Sequence, residues 1–203
     1  MISPHIVINH IKTIPEEIFS EFKDSVLEGG FNLQIESRES EGAYASIEWL
    51  IPTAVIVYIS KSYFDGFLNE VGKDHYIFIK KGFNKLWEKF FGASAPNTVR
   101  IGSKGKVSKD QPYSFVFSIL AEAEPHLSFK LLIQTDVTEQ EYEYILDAFI
   151  DFIVAFHSHT LSQETIVMLK TSRAIGGVLL LAYNRESELL EPVDPIPKNN
   201  KLK

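Results

Sequence analysis

No cysteine occurs anywhere in the 203 residues of this chain. Disulfides, thiolate zinc sites and cysteine nucleophiles are thereby excluded, and the fold has to be held by its own core. No run of about 18 uninterrupted apolar residues occurs either, so no helix that crosses a bilayer is expected. The stretch from Met1 to Lys12 has no basic segment ahead of its apolar run and no small-residue cleavage pattern. A secretory leader is therefore not expected, and the cytoplasm is the expected location. The Gly-x-Ser-x-Gly elbow of serine hydrolases is missing, and the six histidines never take the paired helical spacing of a catalytic zinc site. Neither a metal nor a cofactor is expected, and no internal repeat is present.

Positive charge is in short supply: 20 Lys and Arg stand against 27 Asp and Glu, a net charge of -7. That balance opposes attraction to phosphate backbones and anionic lipid surfaces, so nucleic acid is disfavoured as a partner and no membrane partner is expected. The basic loop from Arg100 to Lys109 has no aromatic residues interleaved for base stacking, and its Gly102-Ser103-Lys104-Gly105-Lys106 core lacks phosphate-loop spacing.

Apolar residues are plentiful, with 15 Phe and 8 Tyr within a hydrophobic content of 45%. A chain of this length and composition buries one aromatic-rich core, and a single domain is expected over residues 1–190. His5 to Ile11 is a β-branched run that suits a strand buried on both faces. Thr13-Ile14-Pro15-Glu16 has the form of a capping box, after which Ile18, Phe19, Phe22 and Val26 share a helical face and Gly29-Gly30 end the helix. Phe31 to Ile35 alternates as a second strand. Ala43 to Ile51 is predicted as a short helix closed by Pro52, and Ala54 to Ile59 is the most hydrophobic strand candidate.

Ser62 can cap the next helix, Gly72 can bend it, and Tyr76, Ile79, Phe83, Leu86, Trp87 and Phe90 recur at helical spacing up to Gly92. Lys81, Lys85 and Lys89 form the solvent stripe of the same helix. Residues 93–112 are polar and turn-rich, with room for a short strand near Val99 to Ile101. Tyr113 to Leu120 and Leu127 to Thr135 are joined by a link short enough to require an antiparallel hairpin. Thr138 and Glu141 form a second capping box, ahead of a helix carrying Tyr142, Ile145, Leu146, Phe149, Ile153 and Phe156 on one face. Asp147 and Asp151 share its other face, where they could hold a hard cation or simply meet water. His157 and His159 suit the helix C-terminus, where the macrodipole favours them. Ser162 to Ser172 adds a further helix, and Val178 to Tyr183 a last strand or buried helical turn. From Glu191 onward there is too little to bury, and residues 191–203 are expected to form a flexible tail whose removal leaves stability unchanged.

Strand, helix, strand, helix, strand is the order of an α/β fold on a mostly parallel, three-layer sheet, here with an added antiparallel hairpin. In open parallel sheets ligands bind beyond the carboxyl ends of the strands. Those ends offer Asn9 and His10, then Ser37, Arg38 and Glu39, then Ser60, Lys61 and Ser62, and the three clusters are expected to converge on one rim. Any loop also supplies polar residues of this kind.

The third strand and its continuation, Ala54 to Phe64, resembles the central segment of TIR domains: an apolar strand, then Ser and Tyr (Ser60, Ser62, Tyr63), then a helix. The order of the first elements extends the resemblance over residues 6–92. It implies a flavodoxin-like, TIR-like scaffold and, from the enzymatic members, cleavage of NAD by a helical glutamate. Glu70 is the residue that stands for that catalytic group, although earlier in the helix than in the family, and Leu68 and Asn69 lie where a Trp-Cys pair is usual. The remainder of the chain departs from the family pattern. Independently of the resemblance, a carboxylate at Glu70 is able to stabilise a ribosyl cation in a crevice or simply to face solvent.

Two functions follow: a signalling or interaction module without chemistry, with a homo-oligomer or another protein as partner, or an enzyme cleaving the glycosidic bond of NAD or a related nucleotide. The second has Glu70 as catalytic residue and His10, Arg38, Ser60, Ser62 and Tyr63 as ligand-binding residues. Independent of either function, Phe149→Ala on the core face of the best-patterned helix is expected to cost about 3–5 kcal/mol. Urea unfolding of the variant checks this, and a near-neutral result would place Phe149 off the core.

Overall fold

The computed structural model describes residues 4–39, 53–67, 72–92 and 112–195. The helix expected over Ala43 to Ile51, the strand near Val99 to Ile101, the basic loop and Glu70 lie outside those residues. The elements run β1 (Ile6–Ile11), a 3-10 turn (Glu16–Phe19), α1 (Ser20–Glu28), β2 (Leu33–Arg38), β3 (Val55–Ile59), α2 (Lys61–Phe67), α3 (Gly72–Phe90), β4 (Phe117–Glu124), β5 (Leu127–Leu132), α4 (Glu139–His157), α5 (Gln163–Thr171), β6 (Val178–Asn184) and β7 (Leu189–Pro192).

Local signals account for most of the boundaries. Thr138 caps α4 by accepting from the Glu141 amide, and Ser162 caps α5 by accepting from Thr165. Gly30 takes the left-handed conformation (φ 76°) that turns the chain out of α1. The first capping box does not form: Pro15 occupies the cap of the 3-10 turn and no side chain bonds its amides. Proline already supplies one missing donor there, and Glu16 and Glu17 favour the positive end of the turn. Ser62 likewise lies inside α2, which starts at Lys61.

The fold is α/β, with one seven-stranded mixed sheet in the order β2-β1-β3-β4-β5-β6-β7. Parallel pairs β1/β2, β3/β4 and β5/β6 are each joined through helices. Antiparallel junctions alternate with them: β1/β3, the expected hairpin β4/β5, and β6/β7. The third strand was expected to run parallel in the sheet, but β3 lies beside β1 in the reverse direction. Ile6 pairs with Ile59 and His10 with Val55, so the carboxyl end of β3 lies at the amino end of β1.

Alternation along the strands divides the sheet into two faces. Ile6, Ile8, Val55, Val57, Ile59, Phe117, Ile119, Ala121, Phe129, Leu131, Leu179 and Leu181 belong to one core with Phe22, Phe83, Leu86 and Phe149 of the helices. Helix α3 packs against α1, α2 and α4, so these four share that face. Phe22 meets Phe83 edge-on at 5.4 Å and Phe90 stacks on Phe117 at 5.6 Å. Each such ring stabilises the fold by roughly 2–3 kcal/mol through burial. The opposite face has a smaller apolar cluster of Leu132, Leu180 and Ala182, with Tyr113, Val178 and Val193 packed on it.

Glu191, expected as the first residue of the tail, belongs to β7, and the Val193 amide donates to the Leu180 carbonyl at 2.9 Å. Glu191 itself accepts from Asn184 and Ser187. Removing residues 191–203 is therefore expected to destabilise the fold by about 2 kcal/mol, visible as a drop of roughly 4–8 °C in Tm. An unchanged melting curve would show that β7 contributes nothing.

Candidate functional site

Reversal of β3 divides the expected site between two ends of the sheet. At one end lie His10, next to last in β1, and Arg38, the last residue of β2, together with Thr53 and the start of β3. At the other lie Ser60, Lys61, Ser62 and Tyr63, beside Pro4 and His5. Even His10 and Arg38 do not meet, because His10 pairs with Ser37 and Arg38 with Ile11, which places their side chains on opposite faces.

His10 is buried on the helix side against Phe19, with ring centroids 5.0 Å apart. Its Nδ1 lies 3.0 Å from the Ile11 carbonyl, which fixes that nitrogen as the donor, and its Nε2 is buried without a hydrogen-bond partner. Tyr63 is buried between Phe31 and Phe64, where desolvation raises its phenol well above the usual range. Ser60 Oγ lies 2.9 Å from the Pro4 carbonyl and 3.1 Å from that of His5, and 2.6 Å from Ser62 Oγ. The two hydroxyls tie the start of α2 to the start of β1. Sequence reasoning placed them in a crevice because it took β3 to run parallel to β1.

Around them is a second polar group centred on Glu122, which the sequence did not single out. Glu122 Oε2 accepts from the Lys61 amide at 2.8 Å, and its backbone carbonyl accepts from His157 Nε2 at 3.0 Å. His157 stacks on Phe64 at 5.1 Å. Its pKa is lowered, first by burial and further by the Lys61 charge, against the raising effect of the carbonyl bond. Tyr58 is pushed up to about 12 by burial and by Glu122.

The sheet face away from the helices has a buried polar row. Arg38 Nη2 donates to the Thr53 carbonyl at 2.7 Å, and Thr53 Oγ1 lies 2.5 Å from Ser118 Oγ. Lys130, on the same face one residue pair away, is 5% exposed, and burial with the Arg38 charge lowers its pKa to about 8. Strand alternation alone would have exposed Lys130, since it stands among Phe129, Leu131 and Leu132 as the one polar outlier.

A cleft of about 440 Å³ opens over the ends of β5, β6 and β7, bordered by Tyr113, Gln134, Asn184, Arg185, Glu191 and Pro192. Its arginine is already engaged: Arg185 binds Asp136 at 3.1 Å and Glu141 at 2.5 Å, which lowers both carboxyls. Asp147 is taken by Tyr76 and by Lys80 at 2.8 Å in a seam between α3 and α4, so its pairing with Asp151 is not left open for a cation. The lysine stripe of α3 is paired too, Lys81 with Glu28 and Lys89 with Glu21 of α1. Among the described residues no group of three or more His, Asp or Glu is placed to hold a metal ion, and no helix is long and apolar enough to cross a membrane.

No family model, curated protein or solved structure matches the chain. The site residues therefore rest on geometry alone.

Because His157 titrates below its ordinary value of about 6.5, the unfolded chain takes up that proton first as pH falls. Its contribution is present above pH ~6.5 and lost on acidification below it. His157→Gln is expected to show a smaller loss of unfolding free energy between pH 7.5 and 5 than the wild type. Equal pH dependence in urea titrations would contradict the buried neutral imidazole.

Proposed function

We propose that this chain is an interaction module of the kind used in signalling, built on an α/β scaffold and without chemistry of its own. One observation carries this reading: the reversal of β3 sends Ser60 and Ser62 to the end of the sheet opposite His10 and Arg38. A nucleotide held at the carboxyl ends of parallel strands needs those groups on one rim. Here Ser60 donates to the carbonyls just ahead of β1, Ser62 meets the Ser60 hydroxyl and Arg38 donates to the Thr53 carbonyl ahead of β3, so the same residues act as fasteners of the sheet.

The surface supports the same reading. Ile77 is 65% exposed, Leu189 63% and Tyr144 53%, and the outer edge of β2 is a strand edge of the kind partners use. Nicotinamide release from NAD tests the alternative directly. The module reading expects no release above the rate without protein. Release by the wild type that Glu70→Gln abolishes, with circular dichroism unchanged, would overturn it and restore the glutamate to a catalytic role.

A further inference from the structure

The two edges of the sheet are protected unequally. At β7, the bond from Val193 to Leu180 sets the hydrogen-bonding parity, so Glu191 and Leu189 point their backbone groups inward and Leu190 and Pro192 point theirs outward. Pro192 has no amide hydrogen, which leaves Leu190 as the outward donor of a four-residue strand. Short length and an edge proline are established ways of refusing a further strand.

At β2 neither device is present. The Asn32 carbonyl accepts from Ile6 and the Arg38 carbonyl from Lys12, so the even-numbered residues face β1. Leu33, Ile35 and Ser37 therefore direct both amide and carbonyl outward, and no backbone group among the described residues meets them. The strand is six residues long, has no proline and is not bulged. Its side chains are half-buried at Leu33 and Ile35 and exposed at Gln34, Glu36 and Ser37.

We infer that a second copy of this chain pairs antiparallel with β2 across a two-fold axis at Ile35, joining the two sheets into one. The inference rests on the interaction-module reading and names its partner. The outward residues match under that axis: Ile35 faces the partner's Ile35, and Leu33 faces the partner's Ser37, each pair exchanging two backbone hydrogen bonds. Side chains match as well. Gln34 lies opposite the partner's Glu36, and the amide of Gln34 already donates to its own Glu36 at 2.6 Å, so the two groups are of the right chemistry and on the same face. Arg38 lies opposite the partner's Asn32. No like charges oppose each other, although the chain has a net charge of -7. The half-buried Leu33 and Ile35 extend the helix-side core across the axis, and closed two-fold pairing leaves only the blunted β7 edges at the ends of the joined sheet.

Light scattering on the full chain, with hydrogen exchange read at single amides, tests the pairing. The wild type is expected at twice 23.1 kDa at about 100 μM, with the Leu33, Ile35 and Ser37 amides protected. Ile35→Pro removes an outward donor and no hydrogen bond to β1, and Ile35→Lys sets two ammonium groups against each other across the axis. Each is expected to weaken the dimer at least about 100-fold, with the Leu33 and Ser37 amides exchanging rapidly and circular dichroism unchanged. A wild type that stays monomeric over that range, or a dimer indifferent to both substitutions, overturns the pairing. A monomer that also releases no nicotinamide removes the β2 dimer and leaves the module reading intact. Nicotinamide release lost in Glu70→Gln removes the module reading whatever the mass.

Discussion

The antiparallel junction between β1 and β3 is the constraint on which the rest of this molecule depends. It turns three strand-helix-strand units into a sheet in which each unit is parallel within itself and antiparallel to the next. Every polar strand end is assigned to one rim or the other by that alternation. Ser60 fastens to the carbonyls of Pro4 and His5 because β3 ends where β1 begins. Arg38 reaches Thr53 because β2 ends where β3 begins. Had β3 run the other way, these strand ends would have shared one rim.

The two sheet faces meet different demands. On the helix side, rings from α1, α3, α4 and the strands fill the core, and the Tyr142 hydroxyl donates to the Phe83 carbonyl, tying α4 to α3. On the other side the sheet holds a buried lysine, an arginine and two hydroxyls within its surface. Burying an ammonium is costly, which the lowered pKa of Lys130 expresses. Removing Lys130 or Arg38 therefore changes the charge balance of that whole face. The ion pairs between α1 and α3, by contrast, are half-exposed and contribute about 0–1 kcal/mol each.

Much of the fold was legible in the sequence, because helical periodicity and capping residues act locally. The faces of α3 and α4, the Thr138 cap, the Gly30 turn and the β4/β5 hairpin all follow from neighbouring residues. Strand direction was not legible. Ile6 to Ile11 and Val55 to Ile59 have the same alternation whichever way they pair, since a period of two carries no direction. The error propagated to the site: each cluster was found at a strand end, but the ends were placed on one rim. β7 was missed because Leu189 to Pro192 is short and holds a proline, the features that suit an edge strand and also suit a tail. His157 was explained by the helix dipole, whereas its bond to the Glu122 carbonyl joins elements far apart in sequence.

Nuclear Overhauser contacts across β1 and β3 bear most directly on this account. In an antiparallel pair the α-protons of non-hydrogen-bonded partners come close together. The bonds from Ile11 to Ala54 and from Ser60 to His5 make Ile6/Ile59, Ile8/Val57 and His10/Val55 those partners. Strong α-proton contacts within these pairs are the result expected. Their absence, with contacts instead linking His10 to the region of Ser60, would mean that β3 runs parallel to β1 and that the separated rims are one crevice.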